Sequence, residues 1–171
     1  MKCALALLMA IVLGSLAAAC SNQQDAAKPA PQEISEGAQA QFCGMTLAEH
    51  PGPKGQLFLR GQDKPLWFAS VRDTLAFTML PEMPKNIAAI YVNDMGRARN
   101  WATPEPGTWV EAREAVYVIG SRRRAGMDTD EAVPFGDPAA ARQFAAENGG
   151  RVVSYLEIPS NYIFPEQSND S

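Results

Sequence analysis

The chain has 171 residues, 15 Lys and Arg against 19 Asp and Glu, and a single His, for a formal charge of −4. An acidic balance argues against a nucleic-acid binder, which needs a basic face. Between two polar ends lie roughly 124 residues, enough for one domain or two small lobes.

Met1-Lys2 is a minimal positive start, and Ala4 to Ala19 is almost wholly apolar. That run is shorter than the ~20 residues of a membrane span and fits a signal segment. Leu16-Ala17-Ala18-Ala19-Cys20 has the small residues of a lipobox. Cleavage would leave 1–19 behind and put lipid on Cys20, and several acyl chains on one residue hold a protein firmly on a bilayer. Ser21, in place of Asp, favours an outer membrane over an inner one. The residues that follow, to 41, are polar with Pro and Ala, and composition predicts a flexible tether. The tail, 165–171, reads the same way.

The middle looks like one unit written twice. The first copy, 42–96, has an apolar run Gln56–Gly61, then Pro65–Ala69, then a helical pattern opened by Ser70 and closed by Pro81 and Pro84. Ile87–Val92 is a further strand. The second, 97–164, has Ala115–Gly120 and Val133–Gly136, then a helix with Asp137 as N-cap and Pro138 at N1, ended by Gly149-Gly150. Arg151–Ile158 is its last strand. Phe68 to Phe77 and Phe135 to Phe144 are each nine residues apart. The fold class is therefore α+β, two ββαβ units each exposing half a core. The copies differ in a loop: Ser121–Glu131 enlarges the second, and it places Met127 among polar neighbours. An enlarged loop on a rigid repeat is a candidate functional site. Arg122-Arg123-Arg124 there could dock an acidic partner or lipid head groups, but with Asp128, Asp130 and Glu131 alongside, the loop reads as solvated.

Export removes Cys3 and acylation uses Cys20, so Cys43 is left as a lone thiol in an oxidising compartment. Met45 lies two residues on, with Gly44 between to permit an unusual turn. Thiolate and thioether sulfur are soft donors that select Cu(I). Met127 is the first choice for a further ligand and His50 the second. Structural zinc wants four ligands, rich in Cys and His, which one thiol and one His do not supply. Two other readings stay open. Cys43 activated by His50 could serve a thiol-dependent enzyme, or Cys43 could form a mixed disulfide in a metal-free scaffold lipoprotein.

Several stretches carry a family resemblance: Phe42-Cys-Gly-Met45, His50-Pro-Gly-Pro-Lys-Gly-Gln56, Trp67-Phe-Ala-Ser-Val-Arg-Asp73, Tyr91-Val-Asn-Asp-Met-Gly96, Ala115–Ser121 and Val133-Pro-Phe135. Together they resemble the NosL family, lipoprotein accessory factors of nitrous oxide reductase. The resemblance implies a periplasmic Cu(I) chaperone, not an enzyme, supplying the copper centres of the reductase alongside a copper-handling ABC transporter complex. It implies ligands at Cys43 and Met45, with Met127 as the Met of the second repeat. The implied fold is a pair of ββαβ units similar to organomercurial lyase.

Overall fold

Strand β1, Gly55–Leu59, is buried along its whole length, so both faces of the sheet it centres must be covered. The computed structural model describes residues 28–165; Cys20 and the signal, and the tail from 166, lie outside the described residues. β1 pairs antiparallel with β2 (Leu66–Phe68) on one side and β3 (Ile87–Asn93) on the other. Helix α1, Val71–Met79, runs between β2 and β3. The second repeat copies this plan with β5 (Val116–Ile119) central, β6 (Val133–Phe135) and β7 (Arg151–Ser154) flanking it, and helix α2 (Pro138–Asn148) before β7. In both units the first strand lies in the middle of its sheet, which bears out the two ββαβ units.

Local signals place the helices. Ser70 Oγ accepts from Asp73 N at 3.0 Å, and Asp137 Oδ1 accepts from Ala139 N at 2.8 Å. Each satisfies a donor that the first turn would otherwise leave open. α1 buries Val71, Leu75 and Phe77. Complete burial of such a side chain is worth about 1.5–3 kcal/mol. Their core is shared: Leu57, Leu75 and Ile90 of the first unit pack in one cluster with Tyr117, Val153 and Ile163 of the second.

The structure differs from the sequence reading in three places. A strand β4, Trp109–Glu111, falls within the second unit's span yet pairs with β3 of the first, extending that sheet to β2-β1-β3-β4. The last strand stops at Ser154, not Ile158. There the Ser154 and Glu157 side chains form a capping box that turns the chain into a 3-10 turn, and a short helix α3, Ser160–Ile163, follows.

The third difference lies in the polar segment before residue 41. From Lys28 it runs as a strap along the first sheet. Tyr91 Oη donates to Pro29 O at 2.6 Å. The buried Gln56 amide donates to Gln32 O at 2.9 Å and accepts from Gln32 N at 2.8 Å. Glu33 accepts from Gly107 N and from Trp109 Nε1. Under the strap sits a second apolar cluster of Phe58, Ala89, Tyr91 and Trp109. A buried glutamine in a strand is costly unless its amide is paired, and the strap supplies the partners.

Candidate metal centre

The strap leads directly into the hairpin that carries Cys43. Ala40 N donates to Met45 O, Gly44 N to Ala40 O, and Leu47 N to Ala38 O. Gly44 takes φ +68°, the left-handed region that closes this turn and that a side chain would strain. Gln41 N donates to Trp67 O at 2.7 Å, tying the tip to β2. Phe42 sets its ring edge-on to Phe68, with centroids 5.7 Å apart. Cys43 and Met45 are nonetheless exposed, Met45 at 42%. The fold thus holds the hairpin by its flanks and leaves its sulfurs open.

His50 closes the 3-10 turn Leu47–Glu49 that follows, and is buried at 6% exposure. Its Nε2 lies 3.7 Å from Cys43 Sγ, within reach for a weak sulfur hydrogen bond. Asp73 at the start of α1 lies close enough to His50 to feel its electrostatic influence. Burial raises the Asp73 pKa, while the Ser70 hydroxyl, Arg72 and His50 pull it down.

The enlarged loop of the second unit reaches the same place. Gly126–Asp128 form a 3-10 turn, and a Cβ on Gly126 would stand 2.9 Å from His50 Nδ1. The backbone of Met127 is therefore one residue from contact with His50; its side chain lies outside the described structure. Thr129 Oγ1 donates to Gly126 O, and Asp128 takes φ +56°. The loop is braced from behind. Arg123 lies over Trp101 at 4.3 Å, Trp101 stacks on Phe144, and Arg124 pairs with Asp130. The arginines that read as a solvated run stay exposed, and Arg123 and Arg124 also engage neighbouring side chains. Gly126→Ala is expected to cost about 1–3 kcal/mol in thermal unfolding, because the new methyl must displace a buried ring fixed at its own backbone.

Glu131, at the end of that loop, is 1% exposed and not solvated. Its carboxylate accepts from Val71 N, Arg72 N and Ala132 N at 3.2, 3.0 and 2.9 Å. It thereby caps the first turn of α1 from the other repeat. Burial pushes its pKa up to about 8, with the three N–H donors working against that shift. Tyr162 of α3 donates to Glu131 O at 2.8 Å. The sequence-level signal for this role was weak: an acidic residue in an acidic loop looks solvated until its partner helix is in view.

Cys43, Met45, His50 and the Met127 loop are thus gathered at one edge of the seam between the repeats. Among the described residues, no three His, Cys, Asp or Glu side chains cluster as a metal site. Residues 31–163 match the NosL family from end to end of the globular part. The chain belongs to the NosL family. It is 42% identical over 150 residues to the copper-binding lipoprotein NosL of Achromobacter cycloclastes, a match covering 86% of this chain and 78% of that protein. The corresponding protein of Stutzerimonas stutzeri is 31% identical over 153 residues, 88% of this chain and 78% of that one. Among solved structures, the copper chaperone NosL from Shewanella denitrificans superposes with a TM-score of 0.71 at 32% identity, covering 76% of this chain and 96% of that one. The apo-NosL solution structure from Achromobacter cycloclastes gives 0.50 at 42% identity, over 67% and 93%. The NosL family match begins at residue 31, so the strap from that residue on belongs to the family unit.

Proposed function

We propose that this chain is a Cu(I) carrier held on a membrane by lipid at Cys20, in the periplasm, and that it delivers copper for the centres of nitrous oxide reductase. The observation that carries the copper reading is the Cys43–His50 contact of 3.7 Å on an exposed hairpin that also presents Met45. Thiolate, thioether and imidazole form a donor set that suits Cu(I). Relatives named as copper-binding lipoproteins and a copper chaperone support it. Cys43 binds as thiolate, since metal binding drives the thiol proton off. Met45 and His50 add neutral donors, and Met127 supplies a further thioether across the repeats. Neutral thioethers exchange readily, so a partner's donors enter as a methionine leaves. The partner is the reductase or its copper-handling ABC transporter complex. The outer membrane is the anchoring surface that Ser21 favours.

The test is an anaerobic Cu(I) titration of residues 21–171 against a competing chelator, with His50→Ala and Met127→Ala beside the wild type. The expected result is one Cu(I) per chain and about 10- to 100-fold weaker binding in each variant, the range for losing a supporting interaction at a metal site. Wild type that cannot compete with the chelator at all would sink the carrier reading. The same Cys43–His50 contact is also what a thiol-dependent enzyme would use to activate its nucleophile. That second reading gains if the titration fails while Cys43 reacts with a thiol reagent faster in wild type than in His50→Ala.

A further inference from the structure

Met127 and Glu131 belong to one locally closed hairpin. Arg124 and Asp130 face each other in an antiparallel bridge and pair through their side chains. Inside that rung Ala125 N donates to Thr129 O at 2.9 Å, and Thr129 Oγ1 donates to Gly126 O at 3.2 Å. The 3-10 turn Gly126–Asp128 is the tip. A tip closed at successive rungs follows its base, so whatever fixes the base also aims the tip. The base is fixed by Glu131, which lies four residues past Met127. Its carboxylate takes the N–H groups of Val71 and Arg72 in α1, and its backbone O takes the Tyr162 hydroxyl. The Cys43 hairpin is seated on the same corner of the first repeat. Gln41 N donates to Trp67 O of β2, and the Phe42 ring lies 6.2 Å from that of Phe77 in α1.

We propose that Glu131 is a positioning residue for copper binding: by holding the base of the loop on the first turn of α1, it sets Met127 beside the Cys43 hairpin. What Met127 does there rests on the Cu(I) reading above; its placement is a property of the metal-free fold. The carboxylate acts through the loop and not on the ion. The fit it maintains is narrow, because a Cβ on Gly126 would already stand 2.9 Å from His50 Nδ1 and 3.2 Å from its Cβ. Donors at such a site need support to within about 0.5 Å, and loss of a supporting group at a metal site typically costs 10- to 100-fold in affinity. A residue that merely capped α1 would stabilise the fold without coupling to Met127.

Two measurements on the full chain in detergent test this. The first needs no metal. Met127→Cys gives the tip a thiol, and its disulfide with Cys43 is followed by peptide mapping during oxidation with glutathione disulfide under native conditions. The bond is expected to form within the chain, and Glu131→Ala in that background should slow it by about tenfold or more, since small misplacements cost that much in a proximity-driven step. If Glu131→Ala fails to fold, Glu131→Gln, which keeps one acceptor oxygen, serves in its place. The second is a Cu(I) competition cycle of Glu131→Gln against Met127→Ala. Glu131→Gln should weaken binding by about tenfold where Met127 is present and add little in Met127→Ala, because two residues acting through one contact are not additive. Equal disulfide rates with and without the carboxylate, no bond at all in Met127→Cys, or additive losses in the cycle would overturn the proposal and leave Glu131 as a helix cap. Wild type that binds no Cu(I) sinks the carrier reading instead, and the disulfide arm still decides the placement.

Discussion

Cys43→Ser is expected to weaken Cu(I) binding by more than about 100-fold. Loss of a supporting group around a metal typically costs 10- to 100-fold, and loss of the only anionic donor should exceed that. A serine hydroxyl is a hard donor that stays protonated near neutral pH, so the variant offers Cu(I) only neutral ligands. Because Cys43 is exposed on a hairpin tip, the fold should barely respond, within about 0.5 kcal/mol for a surface position. The measurement is chelator competition paired with a melting curve. Retained affinity in a fully folded Cys43→Ser protein would move the metal away from the hairpin.

Glu131→Ala is expected to be the most damaging substitution away from the sulfurs. It orphans three backbone N–H groups, two of them in the first turn of α1. Each buried donor left unpaired costs about 1–3 kcal/mol, so a loss of roughly 3–5 kcal/mol follows, or about 10–15 °C in Tm at this size. Glu131→Gln should cost less, because its amide oxygen can still accept. The pair also tests the titration. Burial holds the folded-state pKa near 8, above the ordinary 4.5. The folded chain therefore keeps a proton that the unfolded chain has released. Glu131's contribution is complete below about pH 4.5 and fades as pH rises through 8. Wild-type Tm should accordingly fall more steeply from pH 5 to 8 than that of Glu131→Gln. Lys54, with its depressed pKa, acts in the opposite sense in both proteins. Parallel curves for the two would mean that Glu131 is already ionised in the folded chain.

Periodicity made the repeats legible because each element carries its own punctuation: Ser70 and Asp137 open the helices, and paired Pro or Gly close them. Cys43, Met45 and Gly44 were legible as a turn for the same local reason. What stayed hidden depended on partners far along the chain. Strand β4 is three residues long and pairs with a strand of the other repeat. The strap looks like linker because its order comes from Gln56, Tyr91 and Trp109, not from any apolar content of its own. Glu131 is buried only because a helix some 60 residues earlier presents bare N–H groups to it. His50 stood between loop residue and ligand on sequence alone, and its burial beside Cys43 is a tertiary fact.

The strap also sets a radius of action. With lipid on Cys20 as proposed above, eight peptide steps separate the anchor from Lys28, where the sheet takes hold. At no more than about 3.6 Å per step, that leash spans at most ~29 Å. A free segment out to residue 41 would have allowed about 75 Å. Stitching the strap to the sheet therefore keeps the sulfur-bearing hairpin in a thin layer above the bilayer, where a molecule fixed to the same surface meets it at high local concentration.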